Sequence, residues 1–231
     1  ADLDWPALDE AMRGIMALAG ELGLWVVVGS THRLSAGHKP HNSLYVVDAA
    51  GRLVNRYDKR FCTGRGAPAP TEDLSHYSPG SAAVTFDCAG VRVGLLICHE
   101  FRYPELYRDY VAQGVQLVLH SYHNARMPAD KLAYYHEHVT FTMRAAAASN
   151  HVWISANNSC TPAAWSSFTV DPAGGIVGRL RRHRAGVLLT TVDTEAEFWD
   201  ASGYWRERCM AGGRHSGELV QDERSERRDA L

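Results

Sequence analysis

The stretch Val91-Arg-Val-Gly-Leu-Leu-Ile-Cys98-His-Glu-Phe-Arg-Tyr-Pro-Glu105 constrains the fold of this chain more than any other. Its apolar run from Val91 to Ile97 reads as a buried strand, and Pro104 followed by Glu-Leu-Tyr-Arg suits the first turn of a helix. Cys98 therefore falls on a strand-to-helix corner. A corner exposes a sulfur atom, and the amide groups that open the following helix favour a thiolate and can donate to an oxyanion. Taken alone, the segment is equally compatible with a buried structural cysteine.

The rest of the chain alternates helical and strand periodicity. Leu8, Met12, Ile15, Met16 and Leu18 are spaced for a helix that Gly23 closes, and Leu24-Trp-Val-Val-Val-Gly follows as a buried strand. Residues 43–48 and 53–57 read as a hairpin about Ala49-Ala-Gly51, ending at Asp58-Lys59. A Gly- and Pro-rich loop then spans residues 60–80, and an unstructured loop of that length in a compact domain tends to be functional. A second hairpin turns at Ala89-Gly90 and leads into Cys98. Pro104 to Ala112 reads as a helix, Val115 to Leu119 as a strand, the face Leu132, Tyr135, Val139, Met143 and Ala146 as a long helix, and His151 to Ser155 as a strand. Two hairpin strands flank Asp171-Pro-Ala-Gly-Gly175, and Gly186 to Val192 reads as one strand more. The pattern points to a layered α/β protein with mixed sheets, and two such sheets give a four-layer α-β-β-α sandwich. Residues 1–231 read as a single domain, with a polar C-terminal tail over 213–231.

Charge narrows the partners. With 24 basic and 26 acidic residues interspersed, the net charge is −2, which gives no electrostatic case for nucleic acid or an anionic membrane. No apolar run is long enough to span a bilayer, and Ala-Asp-Leu-Asp-Trp-Pro has no basic region followed by an apolar one. A cytoplasmic protein acting on a small molecule is the expectation. The five cysteines (62, 88, 98, 160 and 209) have no framework spacing, which favours reduced thiols over disulfides. His120-x-x-His123 and His136-Glu-His138 are poor metal-ligand spacings, since residues two apart on a helix point to different faces; neither a metal nor a cofactor is called for. No GxGxxG follows a strand.

In order along the chain stand His41-Asn-Ser-Leu-Tyr-Val-Val-Asp-Ala-Ala-Gly51, Tyr57-Asp-Lys59, Tyr77-Ser-Pro-Gly80, the Cys98 segment through Arg102-Tyr-Pro-Glu105, Arg144-Ala to Asn150, Asn157, and Asp171-Pro-Ala-Gly-Gly175. Together they resemble the nitrilase (carbon-nitrogen hydrolase) superfamily, in its amidase-like branch. The resemblance implies a Glu-Lys-Cys triad that cleaves non-peptide carbon-nitrogen bonds, with Cys98 as nucleophile and Lys59 as its cationic partner. An amide carbonyl is a poor electrophile, so thiolate attack needs positive charge where the oxyanion grows; an ammonium and the backbone N–H of His99 would supply it. Such enzymes commonly carry a second acid in the loop after the lysine. Glu72 is favoured here for its reach, with Asp73 as the alternative. Glu100 and Arg102 are expected to pair as a structural ion pair at the corner, and Tyr103, Tyr122, His123 and Asn124 are candidates to line a substrate pocket.

One piece of the pattern is not in the sequence. The superfamily's general-base glutamate follows an early strand, usually as Pro-Glu, and no such pair precedes the opening helix; Glu10 and Glu21 suit that helix's polar face. The N-terminal strand and its glutamate are expected to be missing from this chain, which would leave a sheet edge open and remove a proton-transfer group worth about 10²- to 10⁴-fold. The resemblance therefore implies hydrolysis of a small amide or N-carbamoyl compound through a Cys98 thioester, with a non-catalytic or truncated nitrilase-like subunit as the alternative. Nitriles are disfavoured because His99-Glu100 stands where true nitrilases carry Trp-Glu. A homodimer or higher homo-oligomer is the implied assembly.

Overall fold

Asp4 and Gly23 fix the ends of the first helix. In the computed structural model, which describes residues 3–64, 72–124 and 128–229, helix α1 runs Trp5–Leu22. The Asp4 carboxylate accepts from the N–H of Ala7 at 3.0 Å, and Gly23, at φ 64°, ends the helix in the left-handed conformation that glycine adopts without strain. Leu8, Met12, Ile15 and Met16 form a half-buried stripe with buried Ala19, whereas Leu18 is off that stripe and exposed. Glu10 and Glu21 are exposed, as expected of the polar face. Glycines let α1 sit on the next hairpin: a Cβ on Gly51 would lie 2.5 Å from the Met16 carbonyl oxygen.

Strands β1 (Val26–His32), β2 (His41–Val47) and β3 (Leu53–Asp58) form an antiparallel sheet in that order, with Val26 opposite Val47 and Leu44 opposite Tyr57. The second sheet has six strands in chain order, β4 (Thr85–Cys88), β5 (Val91–Ile97), β6 (Leu117–Ser121), β7 (Trp153–Asn157), β8 (Phe168–Val170) and β9 (Ile176–Arg179). Its centre β5-β6-β7 is parallel and its flanks are antiparallel, the mixed sheet anticipated from hairpins interleaved with helices. Helices α2 (Pro104–Ala112) and α3 (Ala129–Asn150) make the two crossovers and cover its outer face. Leu44, Val46 and Tyr57 of the first sheet share one buried cluster with Leu95, Leu96, Tyr107, Tyr110, Val139 and Met143. The architecture is a four-layer α-β-β-α sandwich.

Gly186 to Val192 does not form the expected strand. The apolar alternation is present, but a strand exists only through a ladder partner, and the six-stranded sheet ends at β9. Val187 and Leu189 stay more than four-fifths exposed, and a cavity of about 410 Å³ lies between this segment and Leu117, Leu119 and Phe168. Residues 200–231 form a separate compact unit, with a helix α4 (Gly203–Met210) ahead of the span read as a tail and a short helix α5 (Glu223–Glu226) within it. Among the described residues, no helix is long and apolar enough to cross a membrane.

Candidate active site

Cys98 follows directly on β5 and begins a short 3-10 turn that leads through Tyr103 into α2. Its φ is 49°, a left-handed conformation in a residue that carries a side chain, so the backbone is held where local preference would not put it. Such a residue at a sharp corner presents its side chain outward from the sheet edge. The residue is partly exposed and its thiol approaches Asn124 Oδ1 at 3.6 Å. Burial raises its pKa above the ordinary thiol value, while the Lys59 charge and the backbone amides of His99 and His123 act in the opposite direction.

Lys59 follows directly on β3 and is 2% exposed. Its N–H donates to the Asn42 carbonyl and its own carbonyl accepts from the N–H of Gly80, so the chain is pinned on both sides of the lysine. The Lys59 ammonium is bonded to the Asp73 carboxylate, which also accepts from the N–H of Thr63 at 3.1 Å. Thr63 Oγ1 in turn accepts from the N–H of Asp73 at 2.9 Å. Burial alone would lower the Lys59 pKa, but Cys98 and Asp73 outweigh it and raise it. Burial likewise opposes the Asp73 charge, and the Lys59 ammonium and Thr63 donors overcome it, holding the carboxyl below its usual range.

The acid on the lysine is thus Asp73 rather than Glu72. Glu72 sits one residue before the short 3-10 helix Asp73–Ser75 with its carboxylate close to Gly64, and the ion pair of Lys59 is made by Asp73. Residues 65–71 of the same loop lie outside the described residues.

Glu100 departs from expectation in the same way. It does not pair with Arg102 but is fully buried, accepting from Tyr57 Oη at 2.7 Å and from the N–H groups of Ile97, Arg60 and Phe61 at 2.7, 2.8 and 3.1 Å. One carboxylate therefore ties the end of β3 to the end of β5, the two strand ends that carry Lys59 and Cys98. Arg102 instead lies over Phe101 and contacts His138.

The pocket candidates divide. Tyr103 stacks on Phe61 with ring centroids 4.3 Å apart and bonds the His99 ring, which fixes that imidazole away from the sulfur. Asn124 stands beside Cys98, and His123, although its side chain is exposed, contributes its backbone amide. Tyr122 does not line a pocket: it is buried under the corner, stacked on His120, with its hydroxyl directed to Met143 Sδ. Sequence reasoning missed Asn158, whose Oδ1 accepts from the N–H of Asn124 and whose Nδ2 donates to the carbonyls of Asn124 and Trp165. Nothing in its local sequence distinguishes it. Among the described residues no group of three His, Cys, Asp or Glu side chains is placed to hold a metal ion.

The carbon-nitrogen hydrolase family model matches residues 3–200. The chain belongs to the carbon-nitrogen hydrolase family. This carbon-nitrogen hydrolase is 26% identical over 204 residues to a hydrolase in the agr operon of Staphylococcus lugdunensis, covering 85% of this chain and 80% of that one. It is 26% identical over 194 residues to the omega-amidase NIT2 of Homo sapiens, covering 80% and 67%. It is 25% identical over 179 residues to the 2-oxoglutaramate amidase of Bacillus subtilis, covering 75% and 63%. Among solved structures, an amidase from Nesterenkonia sp. superposes with a TM-score of 0.61 at 21% identity, over 75% of this chain. The carbon-nitrogen hydrolase chain spans less than two thirds of that structure, 63% of its length. The superposition fixes the fold as nitrilase-like.

Proposed function

We propose that this chain hydrolyses the carbon-nitrogen bond of a small amide or N-carbamoyl compound, with Cys98 as nucleophile. One observation carries the reading: a cysteine held at φ 49° on a strand-to-helix corner, whose thiolate is favoured by a buried lysine and by the backbone amides of His99 and His123. In the proposed reaction the Cys98 sulfur attacks the carbonyl carbon, and the oxygen takes up negative charge. The Lys59 ammonium and the N–H of His99 stabilise that charge. The carbon-nitrogen bond then breaks, ammonia or an amine leaves with the thiol's proton, and a thioester remains. Water hydrolyses the thioester to the acid and returns the thiol. Asp73 holds the ammonium in place, a role carried by the ion pair rather than by Glu72.

Support for a covalent cysteine comes from a mutant of the Nesterenkonia amidase, which carries the acetamide moiety of fluoroacetamide on its active site cysteine. The omega-amidase and 2-oxoglutaramate amidase relatives make ω-amides of small dicarboxylic acids the first substrates to try. A homodimer and a cytoplasmic location belong to the same proposal.

The test is ammonia release from a panel of small amides, ω-amides, N-carbamoyl amino acids and nitriles, comparing the 231-residue chain with Cys98→Ala. Release that requires Cys98 is the expected result. Turnover unchanged in Cys98→Ala would overturn the mechanism. Silence from both folded proteins would favour the alternative reading, a non-catalytic nitrilase-like subunit.

A further inference from the structure

Beneath the corner lies a histidine that the proposed chemistry does not use. His120, near the end of β6, is 1% exposed, and burial pulls its pKa down to about 3, so its ring is neutral at physiological pH. Its Nε2 lies 3.2 Å from the Cys98 carbonyl oxygen and its Nδ1 lies 2.8 Å from Tyr107 Oη on α2. A carbonyl oxygen only accepts, so Nε2 carries the ring's single proton and donates to Cys98. Nδ1 is then a bare lone pair, and the Tyr107 hydroxyl must donate to it. The chain of donors runs one way, from Tyr107 through His120 to the Cys98 carbonyl. Tyr122 stacks on the imidazole with centroids 4.2 Å apart and fixes its plane.

The Cys98 carbonyl and the His99 N–H belong to one peptide unit. In a trans peptide these two groups point in opposite directions across a rigid plane. Holding the carbonyl toward β6 therefore turns the His99 N–H away from β6, to the side where that amide lowers the Cys98 thiol pKa. Cys98 itself sits at a φ that its side chain disfavours, so its peptide plane needs an external hold. We propose that His120 is a positioning residue that sets the 98–99 peptide plane, and through it aims the His99 amide at the sulfur and at the oxyanion formed there.

The inference rests on the reading of Cys98 as nucleophile for its consequence, but its test does not need turnover. The pH dependence of Cys98 alkylation by iodoacetamide, followed by mass spectrometry, reports directly on how well the thiolate is stabilised. Two near-isosteric variants separate the two bonds of the ring. The Asn side chain in His120→Asn reaches the place of Nδ1 and can accept from Tyr107 but not reach Cys98. The Gln side chain in His120→Gln reaches the place of Nε2 and can donate to Cys98. The expected result is that His120→Asn slows Cys98 alkylation at pH 8 by at least five-fold and moves its midpoint to higher pH. His120→Gln is expected to recover most of that loss. A folded His120→Asn protein with the wild-type pH profile would overturn the proposal, as would equal profiles for the Asn and Gln variants. Should Asn not fold, a His120→Gln profile displaced as far as that of Tyr107→Phe or farther would overturn it, because Tyr107→Phe removes only the outer donor. If the amide panel is silent while the alkylation profiles separate as expected, the positioning role stands and only the hydrolytic reading fails.

Discussion

Lys59 and Asp73, fourteen positions apart, form an ion pair in which the lysine is 2% and the aspartate 23% exposed. The pair holds a cation at the foot of the nucleophile's strand, and a charge buried this deeply is destabilising once its partner is gone. Asp73→Asn is therefore expected to lower stability by about 3 kcal/mol and to slow Cys98 chemistry by about ten-fold or more, whereas Glu72→Gln changes both little. Urea unfolding and Cys98 alkylation measured on the two variants check this. Equal effects at 72 and 73 would remove the assignment of the orienting acid.

The same pair sets a pH dependence of stability. The Asp73 carboxyl is depressed in the fold, so its contribution is present above the unfolded value near 4 and is lost as pH falls through the lower folded value. The Lys59 pKa is raised, so its contribution is complete below the unfolded value, about 10.4, and is lost as pH rises through the folded one. Unfolding free energy measured across pH should thus show an acid limb that Asp73→Asn flattens. An acid limb of wild-type steepness in that variant would assign it to other carboxylates.

Glu100 accepts four donors in the core between the strand ends, and Glu100→Gln would turn an amide N–H₂ against some of them. A loss of about 2 to 4 kcal/mol is expected, with Tyr57→Phe losing about 1. The measurement is again chemical unfolding. Wild-type stability in Glu100→Gln would mean that these four bonds add nothing net or that water replaces them.

The corner itself was readable because every local signal agreed: an apolar run, a cysteine, then Pro104 with an acid behind it, and the structure has β5, the turn and α2 at those places. The mixed order of strands followed from hairpins alternating with long helices. What sequence could not supply was direction. Glu72 and Asp73 are neighbours in a loop without periodicity, and which one meets Lys59 depends on the Thr63 bonds that seat the turn. Glu100 looked like half of an i,i+2 ion pair because Arg102 is near in sequence, yet three of its four donors come from forty or so residues away. Tyr122 and His123 alternate about the end of β6: the Tyr122 N–H donates to the Asn157 carbonyl and its ring goes into the core against Met143 of α3, while the His123 side chain is exposed, and their own segment does not decide which goes where. The segment at 186–192 carried strand periodicity, but a ladder partner is not a local property.

Gly80 tests the scaffold behind the lysine. Its N–H donates to the Lys59 carbonyl, and a Cβ there would lie 2.3 Å from the Asp58 carbonyl oxygen, against backbone that cannot yield. Gly80→Ala is expected to push the two segments apart, costing about 1 to 3 kcal/mol and reducing Cys98 reactivity together with stability. Gly14→Ala, on the open side of α1 with nothing within 4 Å, serves as the control and should stabilise slightly through helix propensity. Comparable melting temperatures for the two variants would show that the approach at Gly80 is slack.

Cys98 reactivity offers the most direct reading of the electrostatics, because the chain carries its own internal standard. Cys160 and Cys209 are exposed, while Cys98 is partly exposed and its pKa is raised by burial against the pull of Lys59. Removing that positive charge leaves burial opposed only by the two amides, so the thiol pKa must move further up. Each unit of such a rise cuts the thiolate fraction near neutrality about ten-fold. Lys59→Met, which keeps the length of the buried stem, should therefore slow iodoacetamide labelling of Cys98 at pH 8 by about ten-fold while Cys160 and Cys209 label at their wild-type rates. The ratio of Cys98 to Cys160 modification within one sample removes differences in reagent and concentration. A ratio unchanged by Lys59→Met, in protein that melts cooperatively, would separate the ammonium from the thiol and with it the cationic half of the proposed site.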